Sequence, residues 1–438
     1  MLQSARNVRS YALGALSSAT ILTCAPRTAL AQSTPPIPIA DSETFLSPEA
    51  TRGATPLEPP TSDYAGIHAG PWALFPSLFS GVAYNDNLYE TTHNRVGDAA
   101  SRTTPTFLAV NDSGVNKLSL YAALDSYFYF HYGREDTING RLGLQDVWEI
   151  QRDLVFKLSG DISRQTDTID SGQIVGASTV LPLHFWQYQA SASLLKSFNP
   201  TFVGVGGTFV RQSFDNANQT DGGPIAEYYR DLDVSTIAAR AGYYIGPTIY
   251  TYAETTANQQ IFYNDRLYDS RGYQIVGGLG ADQLSLFKGE IYGGYQEQRY
   301  SASIGGTRGG AAFGGKIAWL PTEFLSVTAN LGESLSTSVA SELTPTLASA
   351  TKTTAANLTI AYALARTWSA SAHLNFANSN YIGSSRVDDD WSAGVTLNRR
   401  IWENLDATAD YQLTRVDSNY ANASFTQNVI SLGLTYKY

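Results

Sequence analysis

Apolar side chains recur at every second position from about Trp72 to the last residue. Leu118, Leu120, Ala122 and Leu124 alternate with Ser119, Ala123 and Asp125. Leu154, Phe156 and Leu158 alternate with Val155, Lys157 and Ser159, and Leu405, Ala407, Ala409 and Tyr411 with Asp406, Thr408 and Asp410. A period of two puts successive side chains on opposite faces of a strand. Several segments exceed the five or six residues of an average strand and are long enough to cross a bilayer at a tilt. No apolar run of about 18 residues follows residue 31, so no membrane helix is expected. Mean hydropathy is −0.18. A membrane barrel accommodates that value, because only alternate residues meet lipid. The expected fold is all-β: a transmembrane antiparallel up-and-down β-barrel.

The final residues sharpen this. Ile430, Leu432, Leu434, Tyr436 and Tyr438 share one face, and Val429, Ser431, Gly433, Thr435 and Lys437 the other. In water a strand end this greasy would fray with its apolar face exposed. In a barrel it closes the sheet, with its terminal aromatic at the lipid interface. The stretch resembles the C-terminal assembly signal of outer-membrane proteins, with Tyr where Phe is usual. The barrel assembly machinery is therefore an expected partner.

Turn signals fall into two alternating classes. Tight ones lie at 111–114, 151–153, 199–200, 246–247, 321–323, 366–367 and 403–404. Long polar ones lie around 91–102, 133–140, 168–183, 215–227, 264–270, 301–310, 337–352, 383–389 and 418–425. Outer-membrane barrels have short periplasmic turns and long outer loops. Nine hairpins, hence about 18 strands, are expected, with 16 as the alternative if the weak pair at 273–298 is misread. Aromatic girdles are expected at both rims. Trp148, Phe198, Tyr243, Trp319, Trp368, Trp402 and Tyr438 adjoin tight turns, and Tyr132, Tyr229, Phe262, Tyr300, Tyr381, Trp391 and Tyr420 adjoin long loops.

The N-terminus reads as export. Arg6 and Arg9 precede a largely apolar stretch from Tyr11 to Ala25, and Ala29-Leu30-Ala31 supplies a small-x-small cleavage site. Residues 1–31 are expected to be a signal peptide. Its removal takes away Cys24, the only cysteine, along with any disulfide or thiolate metal site. It also leaves 26 basic residues against 39 acids, a net charge of −13. That charge gives no footing for nucleic acid. Residues 32–71 hold Pro35, Pro36, Pro38, Pro48, Pro56, Pro59 and Pro60 among Ser and Thr. They read as a disordered Pro-rich periplasmic extension preceding a barrel over 72–438.

Phe75-Pro76-Ser77-Leu78, Tyr84-Asn85-Asp86-Asn87-Leu88-Tyr89 and Thr104-Pro105 open that region. This opening resembles the putative β-barrel porin 2 family of Gram-negative outer membranes. The resemblance implies a conduit accompanying exopolysaccharide secretion, with periplasmic polysaccharide-export proteins as partners.

The alternation assigns an inward, lumen-lining set: Asp125, Lys157, Asp161, Glu254, Lys288, Glu290, Tyr292, Lys316, His373, Asp406 and Asp410. Carboxylates and amides accept hydroxyl protons and tyrosine faces stack on sugar rings, so this interior suits polar solutes. None of His68, His93, His131, His184 and His373 lies in a hydrolase or zinc-protease motif, and no enzymatic activity is expected. Asp388-Asp389-Asp390 and the group Asp215, Asn218 and Asp221 lack the spacing of a calcium loop, so neither metal nor cofactor is expected. A TonB-dependent transporter would need about 22 strands and a folded plug; 32–71 is too short and irregular for one. The expected function is export of exopolysaccharide or oligosaccharide. The alternatives are a general diffusion porin for small polar solutes and a structural barrel with a plugged lumen. The expected location is the outer membrane, among lipid and lipopolysaccharide.

Overall fold

The computed structural model describes residues 66–167, 182–218, 224–284, 286–301, 306–338, 349–421 and 423–438. The stretches expected to be a signal peptide, 1–31, and most of a Pro-rich extension, 32–71, lie outside these residues, as do the middles of the loops at 168–183, 215–227 and 337–352. Within the stretch read as extension, Ile67–Ala69 forms a short strand hairpinned onto Trp72–Leu74.

Alternation over 72–438 becomes eighteen long strands. They are β1 (Trp72–Asn85), β2 (Asp98–Asp112), β3 (Asn116–Tyr129), β4 (Thr137–Gln151), β5 (Leu154–Asp167) and β6 (Leu183–Ser197). Next come β7 (Thr201–Phe214), β8 (Leu232–Tyr244), β9 (Ile249–Phe262), β10 (Ser270–Leu284), β11 (Phe287–Arg299) and β12 (Thr307–Thr322). The last six are β13 (Leu325–Ser338), β14 (Ser349–Ala365), β15 (Trp368–Ile382), β16 (Val387–Trp402), β17 (Leu405–Ser418) and β18 (Phe425–Lys437). Each pairs antiparallel with its neighbour in sequence. β18 then pairs with β1, from Ser77 opposite Lys437 to Asn85 opposite Val429. The sheet therefore closes on itself: it is a closed antiparallel 18-stranded barrel. The weak stretch at 273–298 is a true strand pair, β10 and β11.

The shortest strands have 13 residues. At about 3.3 Å per residue they reach roughly 43 Å, enough to cross a hydrocarbon core of about 30 Å at the usual tilt. The polarity is inverted relative to a globular protein. Leu78, Val82, Leu158, Ile237, Ile291 and Val395 stand exposed on the outer surface, and so does the whole Ile430-to-Tyr438 face. Arg240, Gln212, Gln296 and Gln298 are among the most buried side chains. That distribution costs free energy in water and is favourable only where the outer surface meets an apolar solvent.

The girdles need one correction. Trp148, Phe198, Tyr243, Trp319, Trp402 and Trp391 are exposed as expected, but Phe262, Tyr300 and Tyr381 are buried. Phe262 and Tyr381 fall on the inward parity of β9 and β15, and Tyr300 packs inward just past the end of β11. Sequence proximity to a loop cannot tell the two faces apart.

One ladder is incomplete. β12 and β13 pair only from Thr322–Leu325 up to Gly314–Gly332. Above that rung, Thr307–Phe313 and Glu333–Ser338 do not pair with each other, although β12 still pairs with β11 and β13 with β14 over their full heights.

Candidate functional site

All eleven lumen-lining candidates sit on the strand face opposite the exposed apolar residues. They form not one site but several. Asp125 accepts two bonds from Arg102, at 2.9 and 3.2 Å, and one from Thr104 at 2.9 Å. Asp161 is held by Arg141 at 2.6 Å and the Tyr121 hydroxyl at 2.7 Å. On the wall next to the seam, Lys437 donates to Asp406 at 2.8 Å, and Thr396 to Asp410 at 2.7 Å. His373 Nε2 lies 2.8 Å from Gln412 Oε1. Lys157 and Lys288 are half-buried, whereas Lys316 is exposed, directly opposite Glu290 in register.

Glu254, Glu290 and Tyr292 do come together, around a residue that the sequence did not single out. Arg240 is 1% exposed. It donates to Glu254 at 2.7 Å and to both Glu290 oxygens at 2.9 and 3.0 Å. Its guanidinium also lies 4.1 Å from the centre of the Tyr252 ring. The Tyr250 hydroxyl completes the shell at 2.5 Å from Glu290. One cation thus serves two carboxylates in a desolvated spot, where each charge depends on the others. Phe202, Tyr244, Tyr250, Tyr252 and Tyr292 pack around it. Gly278 and Gly280 on β10 make room for the rings: a Cβ there would meet Tyr252 Cζ at 2.5 Å and Tyr250 Cζ at 2.3 Å. This part of the wall, toward the tight-turn end, is packed protein.

Toward the long-loop end the inner wall changes to amides and hydroxyls. Gln212 donates to Gln187 at 2.9 Å. Gln298 donates to Asn258 at 3.0 Å and lies 2.9 Å from the Ser270 hydroxyl. Gln296 donates to Glu333 at 3.0 Å. Their inward parity could be read from the alternation, but an isolated Gln carries no motif.

The rim on that side holds ion pairs. Asp388, weighed as a cation ligand, is taken by Arg386 at 2.6 Å and by the Ser418 hydroxyl at 2.5 Å. His131 meets Asp98 at 2.9 Å, and Asp98 also accepts the backbone N–H groups of His131 and Tyr132. A one-turn 3₁₀ segment, Gly133–Glu135, lies beside this pair. Burial pushes the Glu135 carboxyl up to about 7. The Tyr89 hydroxyl is also raised, first by burial and then by the charge of Glu135.

The family model described as "Putative beta-barrel porin 2" matches residues 59–438. No curated protein matches the sequence. Among solved structures, the siderophore receptor PirA from Acinetobacter baumannii is similar at 7% identity and a TM-score of 0.45, over 83% of this chain and 80% of that one. The FrpB iron transporter from Neisseria meningitidis is similar at 8% identity and a TM-score of 0.43, over 84% and 82%. Copper transporter OprC is similar at 10% identity and a TM-score of 0.42, over 83% and 65%.

Proposed function

Because the chain belongs to the putative β-barrel porin 2 family, we propose that it is an outer-membrane conduit for exporting exopolysaccharide or oligosaccharide. The carrying observation is the inner wall beneath the long loops. Gln187, Gln212, Asn258, Gln296 and Gln298 face inward there as amides, mostly buried in this structure and bonded to one another, to Ser270 and to Glu333. Amides offer both donors and acceptors to hydroxyl groups, and their neutrality lets an uncharged polymer slide without being trapped. Eighteen strands are enough to enclose an aqueous path. The reading gives the protein no catalytic step and no cofactor. Its partners are lipid and lipopolysaccharide on the outer wall, the assembly machinery at β18, and periplasmic polysaccharide-export proteins at the tight-turn rim.

The test is single-channel recording in planar bilayers with neutral oligosaccharides of increasing length. Export predicts current interruptions whose duration grows with chain length. Open current untouched by oligosaccharide at millimolar concentration would leave a general diffusion porin as the better reading.

A further inference from the structure

The wall laps over itself where β12 and β13 part. Glu333 continues the outward parity of Leu331, yet it is buried and bonded to Gln296, an inward residue of β11. Leu335, also of outward parity, is buried, and so is Ser334 between them. Three consecutive buried residues mean that this strand segment is covered on both faces. Ala350 lies on the outward parity of β14 but packs in one cluster with Leu232, Val234 and Phe262, which face inward from β8 and β9. Tyr268, Tyr300 and Ile382 join the same cluster. Two outward positions, Glu333 and Ala350, therefore touch inward surfaces, and Leu335 is covered beside them. That happens only if the long-loop ends of β13 and β14 have slipped inside the wall formed by β8 to β12.

We propose that this lapped segment is the closed state of a gate, and that it opens by zipping β13 back onto the free edge of β12. The inference rests on the conduit reading. In the closed state the segment occupies lumen and is latched by side chains. Gln296 holds Glu333, and the Tyr300 hydroxyl donates to the Ser336 carbonyl at 3.2 Å. Those contacts substitute for ladder rungs that Thr307–Phe313 leaves unmade. In the open state the register of Gly314–Gly332 simply continues, setting Phe313 opposite Glu333 and Ala312 opposite Ser334. The outer faces of both strands then return to the outer surface and the lumen widens. The two arrangements exchange one set of hydrogen bonds for another, as a two-state element requires.

The experiment uses Ala312→Cys with Ser334→Cys, because directly opposed strand residues are close enough for a disulfide. Ala318→Cys with Thr328→Cys, already paired in the ladder, is the positive control. Cross-linking is read by gel mobility and conductance by planar bilayer, each with and without reductant. We expect the 312–334 bond to form and to raise conductance at least twofold, reversibly on reduction. Gln296→Ala with Tyr300→Phe, which removes the latch, should shift open time in the same direction. Cross-linking of the control but not of 312–334 would overturn the zipping, and a bond without a conductance change would overturn the gate. Cross-linking with no current in any variant or redox state would support the strand exchange while counting against the conduit itself.

Discussion

At the scale of single residues, most of the interior is decided by which charges keep a partner. Arg240→Ala leaves Glu254 and Glu290 desolvated without their cation, a change that costs about 3–5 kcal/mol when a buried pair is broken. The expected result is a clear fall in the denaturant midpoint of the refolded barrel. Restoring neutrality with Glu254→Gln and Glu290→Gln in the same chain should recover much of it. Glu135 makes a prediction in pH. Its folded carboxyl sits at about 7, above the ordinary value of 4.5. Between those values the native state keeps a proton that the unfolded chain has lost, so this group's contribution is full below about 4.5 and gone above about 7. The turn at Gly133–Glu135 should therefore become more open to protease as pH rises from 5 to 8. Glu135→Gln should flatten that profile, whereas an unchanged slope in the variant would remove Glu135 as its cause.

At the scale of strands, the seam between β1 and β18 is the most demanding contact. A Cβ on Gly81 would lie 2.3 Å from the Leu432 carbonyl oxygen. Gly81→Val, or removal of Tyr436–Tyr438, should sharply reduce heat-modifiable barrel in membrane fractions. Normal yield of either would mean that closure is not the limiting step. Strands were the most legible part of the chain, because lipid on one side and polar groups on the other enforce the period of two. β10 and β11 were the least legible: Gly277, Gly278, Gly280, Gly293 and Gly294 erase the contrast between faces. Gly278, Gly280 and Gly294 yield to neighbours' rings and backbone: a Cβ there would run into Tyr252, Tyr250 and the Ile275 carbonyl. Arg240 carries no signal in the sequence for a related reason. It stands among Ala238, Ala239, Ala241 and Gly242, and its importance comes from carboxylates on β9 and β11. The lap at Glu333 and Leu335 could not be read at all, since alternation assigns both to the outer surface. Only packing against distant strands moves them inward.

At the scale of the whole molecule, the chain is a core turned outward. Leu158 is exposed on the lipid-facing wall and Lys157, beside it, faces in. Leu158→Arg should destabilise by about 2–4 kcal/mol if the residue lies near the bilayer midplane. Lys157→Glu should fold normally and shift ion selectivity in a salt gradient. The reverse outcome would mean that every inward assignment is displaced by one residue. The seam has a further consequence. Every other pairing among the long strands joins neighbours along the chain, and only Ser77–Asn85 with Val429–Lys437 is distant. The barrel is thus a ring of interchangeable links whose starting point is arbitrary. A circular permutant joined between β18 and β1, and cut at a tight turn such as 366–367, would retain each link. It would differ only in which strand is made last, and so would separate what the fold requires from what its delivery requires.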